Sequence, residues 1–370
     1  MQSIDYVEKL FFKEYDIDAI CKGDGDDVIP ELICHLKNGY TIGTFPKISV
    51  PNRISEKNYI EDIDSLPFPY RNNKIISHMK LSFRRSTYSS KTITMITSRG
   101  CAYSCNYCVS GCNSTHKFKK RSWNNIVAEI KYLQEEYKVY SIIFYDDCFF
   151  YNKKNVNEDV NLFIQEIKSQ GCKPFEWQME IRADIAAEIS SDSWKLLYEN
   201  GCRQISIGVE SCYDETLHFL GKKMNVEVVE RAFKILQSSV PEIILAATYI
   251  VGGPNSDREH IINLSSFSKK MGLMYIRIHP LELHPGTRIY ESIYGKSDDW
   301  YYSIINNKNL SSCMFFERDN DKLKEIMDSI KQTYNNFYIS KYWEKKAKLF
   351  YGEKAKEMQD NVIRIYGLDR

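Results

Sequence analysis

Cys101-Ala102-Tyr103-Ser104-Cys105-Asn106-Tyr107-Cys108 decides how the rest of this chain is read. Three cysteines at C-x3-C-x2-C spacing bring three soft thiolate donors within reach of one small inorganic centre. The stretch follows an apolar, β-branched run from Thr92 to Thr97, and Arg99-Gly100 supplies a turn, so the cysteines belong at the C-terminal end of a strand. That end of the sheet is where α/β folds build their active sites.

Working outward, short apolar runs alternate with helical patterns from Thr92 to about Pro285, which predicts βαβ units and a parallel sheet. Ser122 is placed to cap a helix with Trp123, Ile126, Val127, Ile130 and Leu133 on one face. Val139 to Tyr145 reads as the second strand and runs into Asp146-Asp147; Val160, Phe163, Ile164 and Ile167 mark the next helix, which Gly171 stops. Phe175 to Ile181 is the third strand, followed by Arg182 and Asp184, and Gln204 to Val209 the fourth, followed by Glu210-Ser211. Ile243 to Val251 is the fifth, ending in Gly252-Gly253-Pro254, and Met274 to Pro280 the sixth. Six βα units predict a partial, TIM-like (β/α)6 barrel whose strand-end residues converge on the mouth carrying the cysteine loop. Taken singly, each of those residues also has a plain explanation as a helix cap or turn.

The flanks read differently. Residues 1–70 predict a small Rossmann-like αβα remnant: a helix with Val7, Leu10 and Phe11, a short strand from Ile17 to Ile20, a Gly23-Asp24-Gly25-Asp26-Asp27 turn and a helix from about Ile29. The glycines would let a cofactor approach a helix N-terminus, but three aspartates repel phosphate, and ordinary turn chemistry is the preferred reading. Pro67 and Pro69 predict an extended linker into the main domain, residues 71–290. Beyond His284-Pro285-Gly286-Thr287, residues 291–370 form a mainly helical extension with Leu323, Ile326, Ile330 and Tyr334 on one face. It either covers the open side of the barrel and shapes a substrate pocket, or packs against the exterior.

Composition narrows the function. A chain of 370 residues with 43% hydrophobic and 27% charged residues and a net charge of +1 has no basic excess for nucleic acid, which is not expected as a partner. Its longest strongly apolar run, near Ile243 to Val251, is too short to span a bilayer, so a cytoplasmic protein without membrane association is expected. Eleven cysteines are too sparse, and odd in number, for a disulfide scaffold. Cys21, Cys34, Cys148, Cys172, Cys202 and Cys212 read as buried or incidental thiols. Zinc usually takes four ligands in paired arrangements, and no second pair stands at suitable spacing. A [4Fe-4S] cubane held by three cysteines leaves one iron open for chemistry.

On these residues the chain resembles the radical S-adenosylmethionine superfamily, whose signature is C-x3-C-x2-C with an aromatic residue before the last cysteine; Cys101, Cys105, Tyr107 and Cys108 match it without a gap. The resemblance implies that the three thiolates hold a [4Fe-4S] cluster and that the open iron chelates the amine and carboxylate of S-adenosylmethionine. One electron then cleaves the sulfonium, giving methionine and a 5′-deoxyadenosyl radical that abstracts hydrogen from substrate. Phe144-Tyr145-Asp146-Asp147 resembles the segment that holds the methionyl amine, which implies Asp146, with Asp147 as the alternative. Ile207-Gly208-Val209-Glu210-Ser211 resembles the motif near the ribose, Ile250-Val251-Gly252-Gly253-Pro254 the turn near the adenine, and Tyr107 is placed by the adenine. Within the superfamily, the Lys120-Arg121-Ser122 helix start, the Gly23-Asp24-Gly25-Asp26 turn, Leu66-Pro67 and His284-Pro285-Gly286-Thr287 are similar to the branch with an amino-terminal cobalamin-binding domain. The chain departs from that branch: only the last part of the domain fits before Gly23, and no D-x-H-x-x-G stretch is present, so cobalamin is not expected.

The leading expectation is an enzyme that abstracts hydrogen from a peptide or small-molecule substrate without cobalamin, by epimerisation, dehydrogenation, rearrangement or ring formation in natural-product biosynthesis. Its electrons would come from a donor such as flavodoxin or ferredoxin. Cys313 and Cys112 are candidate hydrogen donors, Cys112 being equally suited to lie beside the cluster. The alternatives are a cobalamin-dependent radical methyltransferase and a non-catalytic metal-binding interaction protein; the last has no use for the strand-end motifs.

Overall fold

The computed structural model describes residues 11–13, 15–78, 92–112, 118–284, 286–294 and 320–368. The strands among them are β1 (Thr92–Met95), β2 (Ser98–Arg99), β3 (Lys119–Lys120), β4 (Ser141–Phe144), β5 (Glu176–Arg182), β6 (Cys202–Glu210), β7 (Ile244–Val251) and β8 (Tyr275–Pro280). Six of them form one sheet in the order β1-β4-β5-β6-β7-β8, every neighbouring pair parallel. Parallel pairing needs a crossover, and the gaps supply the helices Trp123–Tyr137, Val156–Ser169, Ser191–Glu199, Val226–Ser239 and Arg258–Lys270. The six expected strands are all present, in a half-barrel.

Local chemistry explains the helix starts. The side chains of Ser122, Ser190, Asn225 and Asp257 each accept a hydrogen bond from a backbone N–H of the first turn that would otherwise have no partner. The helix Trp123–Tyr137 then buries Ile126, Val127, Ile130 and Leu133 on the stripe that its sequence predicts. Between helices and sheet, Phe144, Phe149, Phe163 and Trp177 pack together, four of their six ring pairs edge to face and two tilted, with ring centroids 4.5–6.1 Å apart. All four are buried, and losing one of them to alanine costs about 3–5 kcal/mol. Glu129 is also buried on the helix Trp123–Tyr137, held by Arg71 at 2.6 Å and Arg121 at 2.5 Å.

The sheet stays open at β8, and the helices Asn320–Tyr338 and Lys341–Tyr351 decide what happens there. Tyr338 Oη accepts from Ile276 N (3.0 Å) and donates to Ile276 O (2.9 Å); Tyr334 Oη accepts from Ile278 N (2.7 Å). Tyr342 Oη and Trp343 Nε1 donate to the carbonyls of Leu273 (2.8 Å) and Met274 (2.9 Å). These side chains occupy the backbone groups that a seventh strand would have paired, which protects an edge otherwise prone to association. Of the expected apolar face, Ile326, Ile330 and Tyr334 are buried and Leu323 is half-buried, and Tyr334 takes part in this edge cover.

By contact, the chain divides into a smaller unit, Met1–Phe68 with Tyr290–Ser312, and a larger one, Pro69–Ile289 with Cys313–Arg370. In the smaller unit the expected strand from Ile17 to Ile20 reduces to one antiparallel bridge, Ile20 with Ser49, because no further residues stay in register. The helix expected from about Ile29 spans Val28–Lys37, capped by Asp27. The acidic turn is occupied internally: Asn58 Nδ2 donates to Asp27 Oδ1 (2.6 Å), and Ile60 N donates to Asp24 Oδ2 (2.9 Å). Val7 and Leu10 lie outside the described residues. No helix among the described residues is long and apolar enough to cross a membrane.

Candidate active site

The cysteine loop is closed at its base and tied down at its tip. At the base, β2 and β3 pair antiparallel, so Ser98–Arg99 belongs to a small ladder rather than to β1. At the tip, Asn106 N donates to Leu220 O (2.9 Å), Asn106 Nδ2 donates to Phe219 O (3.0 Å), and Asn106 O accepts from Ile289 N (3.1 Å). Gly221 permits this: its φ is +70°, and a Cβ there would stand 2.7 Å from the Asn106 side chain.

So held, Cys101, Cys105, Tyr107 and Cys108 line a cavity of about 170 Å³ at the C-terminal ends of the central strands. Its opposite wall comes from those strands: Glu180, Ile181 and Arg182 on β5, the alternate residues Ser206, Gly208 and Glu210 on β6, and Thr248 on β7. Asp147 and Lys222 complete it. Two larger grooves, about 610 and 530 Å³, open along the helix Arg258–Lys270 and at the N-terminal ends of β5 and β6, and neither includes a cysteine of the loop.

Each sulfur meets a donor. Cys101 takes the backbone N–H of Tyr103, and Cys108 those of Ser110 and Gly111. Cys105 Sγ accepts from Arg182 Nη1 at 3.3 Å. Burial, Asp147 and the neighbouring sulfurs push the thiols of Cys101 and Cys108 up, the state expected before a cationic centre binds them as thiolates. Among the described residues no three His, Cys, Asp or Glu side chains converge to hold a single ion. The three thiols instead stand around a cavity, and soft donors so arranged fit a multi-iron cluster with an open face.

The charged walls are specific. Lys222 Nζ lies 3.0 Å from Glu210 Oε1, with both side chains almost fully buried. Glu210 has a left-handed φ of +67° beside a register shift in the β6–β7 ladder, a conformation that costs free energy and redirects the side chain. Gly208 makes room for the pair, because a Cβ there would meet Glu210 Oε1 at 2.8 Å. Burial and the Glu210 carboxylate hold the Tyr107 phenol well above its ordinary range. Burial also raises the Asp147 carboxyl, against a hydrogen bond from Ser110.

Several expected residues stand elsewhere. Asp146 is consumed by the loop base: it accepts from Thr97 N (2.8 Å), Thr97 Oγ1 (3.0 Å) and Ser98 Oγ (2.6 Å). Asp147, one residue on, faces the cavity in its place. Ser211 Oγ accepts from Tyr213 N (3.1 Å), Gly252 N donates to Ser256 Oγ (2.8 Å), and Gly253 lies against Phe219; none of the three lines the cysteine cavity. Cys112 ends the short helix Val109–Cys112, and Cys313 lies outside the described residues. Ser206, Thr248, Glu180 and Lys222 also line the cavity and lie outside the positions just after the strands that the sequence singles out. The missed signal was polar residues at period two inside apolar strands, Glu180/Arg182 and Ser206/Gly208/Glu210.

The family model described as the Radical SAM superfamily matches residues 95–267. An uncharacterized methyltransferase of Pyrococcus horikoshii is 26% identical over 303 residues, 79% of this chain and 59% of the relative. The ribosomal protein uS12 methylthiotransferase RimO of Clostridium acetobutylicum is 25% identical over 202 residues, 52% of this chain and 43% of the relative. Among solved structures, the radical S-adenosylmethionine methyltransferase TsrM from Kitasatospora setae, with cobalamin and a [4Fe-4S] cluster bound, superposes with a TM-score of 0.57 at 15% identity. That match covers 77% of this chain and 55% of TsrM, and it shows the fold. The chain spans about half the length of these relatives.

Proposed function

On the premise that the chain carries a radical SAM superfamily domain at residues 95–267, we propose that it is an enzyme that binds a [4Fe-4S] cluster through Cys101, Cys105 and Cys108, cleaves S-adenosylmethionine and transfers a methyl group to a peptide or small molecule. The observation that carries the reading is one cavity walled on one side by the three cysteines and on the other by the polar faces of β5, β6 and β7. When bound, the cluster supplies the single electron that breaks the sulfonium bond, drawn from a donor such as flavodoxin or ferredoxin. Asp147 and Glu210 offer carboxylates to a cationic amine, Lys222 offers positive charge to a carboxylate, and Ser206 and Thr248 offer hydroxyls to sugar or amine groups. Tyr107 closes the loop side of the cavity against water.

Methyl transfer is preferred to bare hydrogen abstraction because the relatives above are described as methyl- or methylthiotransferases. The second reading, hydrogen abstraction without cobalamin, is favoured by the Gly23–Asp27 turn, whose glycine packs against the Asn58 backbone and whose Asp24 and Asp27 carboxylates take hydrogen bonds from Ile60 N and Asn58 Nδ2 rather than facing a cofactor. The residues described there do not fit that cofactor.

The test is anaerobic reconstitution with iron and sulfide, followed by reductant and S-adenosylmethionine, with and without added cobalamin. With a peptide or small-molecule acceptor supplied, the expected products are methylated acceptor, S-adenosylhomocysteine from the methyl donor and 5′-deoxyadenosine from a second S-adenosylmethionine; 5′-deoxyadenosine without methylated acceptor selects the second reading. Cys105→Ala is expected to lose the iron–sulfur absorbance and these products. A Cys105→Ala protein that still cleaves S-adenosylmethionine would falsify the ligand assignment.

A further inference from the structure

Arg182 makes a contact that its place on a strand end does not require. Its guanidinium is buried and held from three sides: Nε and Nη2 donate to Asp184 Oδ1 and Oδ2 (2.9 and 3.2 Å), Nη2 donates to Lys222 O (2.8 Å), and the plane lies over the Tyr103 ring at 4.0 Å. Nη1 is left pointing at Cys105 Sγ, 3.3 Å away. A guanidinium keeps its proton under all ordinary conditions, so this N–H donates to the sulfur in every redox state. The other two cysteines of the loop take neutral backbone N–H groups instead.

We infer that Arg182 is a positioning residue that sets the reduction potential of the centre held by the cysteine loop, through its charge-assisted hydrogen bond to Cys105, with Asp184 as the counterweight that limits the effect. The inference rests on the cluster reading of Cys101, Cys105 and Cys108. Reduction adds an electron whose density spreads onto the cluster's thiolate ligands, and a fixed donor at one of those sulfurs stabilises the reduced state more than the oxidised one. Asp184, bidentate on the same guanidinium, cancels part of that charge. Removing the donor must lower the potential, and removing the counterweight must raise it.

The experiment reconstitutes wild type, Arg182→Gln, Arg182→Lys and Asp184→Asn anaerobically. It measures iron and sulfide content and takes the midpoint potential from a reductive titration followed by electron paramagnetic resonance. Arg182→Gln is expected to shift the reduced-to-oxidised ratio at a fixed poise about tenfold toward oxidised, 59 mV for a one-electron couple. Arg182→Lys is expected to fall between it and wild type, and Asp184→Asn to shift the opposite way. An unchanged or raised potential in cluster-loaded Arg182→Gln overturns the inference. If Arg182→Gln takes up no cluster, Asp184→Asn decides alone: a raised potential supports the inference, and an unchanged or lowered one overturns it. A wild-type protein that binds no iron and sulfide fails the cluster reading itself, an outcome distinct from loaded variants with equal potentials.

Discussion

Replacing Lys222 with methionine removes the countercharge of Glu210 without opening a hole, because the two side chains have similar length and the lysine stem is almost fully buried. At the observed 3.0 Å and an effective dielectric constant of about 20, the direct attraction between the two charges is about 5.5 kcal/mol. Breaking a buried pair from one side costs about 3–5 kcal/mol, since the remaining charge is left in a poor solvent. Lys222→Met is therefore expected to destabilise the larger unit by about 3–5 kcal/mol. Adding Glu210→Gln should return most of that, because two neutral side chains carry no such penalty. Urea unfolding followed through the fluorescence of the buried Trp177, Trp194 and Trp343 measures both variants. A loss below about 1 kcal/mol in the single variant, or no recovery in the double, would refute a closed, water-poor cavity wall. The double variant should still bind S-adenosylmethionine poorly, which separates stability from function.

The two adjacent aspartates should behave differently. Asp146→Asn is expected to cost about 1–3 kcal/mol by breaking into the Thr97 and Ser98 hydrogen bonds. Asp147→Asn should leave the melting temperature nearly unchanged while weakening S-adenosylmethionine about tenfold in equilibrium binding, about 1.4 kcal/mol; the reverse pattern returns the cofactor role to Asp146. At the sheet edge, Tyr334→Phe with Tyr338→Phe strips the partners from Ile276 and Ile278 and should lower the melting point and promote association seen by light scattering. A monomeric double variant with wild-type melting would show that the edge needs no cover. Lys120 is half-buried, its ammonium donating to Thr97 Oγ1 and Phe149 O, and its pKa is lowered from 10.5 to about 8, chiefly by desolvation. Between those values the unfolded chain binds the extra proton, so stability rises with pH across that window, by up to about 3 kcal/mol. Lys120→Met should flatten that rise relative to wild type in unfolding measured at pH 8 and pH 10; parallel pH profiles would place the lysine in water.

The sequence by itself determined the strands, the crossover helices and the cysteine loop, because each is written in local periods. Apolar runs such as Val139 to Tyr145 and stripes such as Ile126, Val127, Ile130 and Leu133 follow directly from burial on one face. Three cysteines within eight residues need no tertiary information to be seen as one donor set. What only the tertiary structure decided concerns direction and distance in space. Asp146 and Asp147 are neighbours in the chain, yet one faces the loop base and the other the cavity, a difference set by how the strand end turns. Lys222 reaches Glu210 from a turn twelve residues away, and Tyr334 and Tyr338 reach β8 across 56 and 62 residues. Such pairings carry no local signature, because only closure of the sheet and docking of the last helices bring the partners within hydrogen-bonding distance.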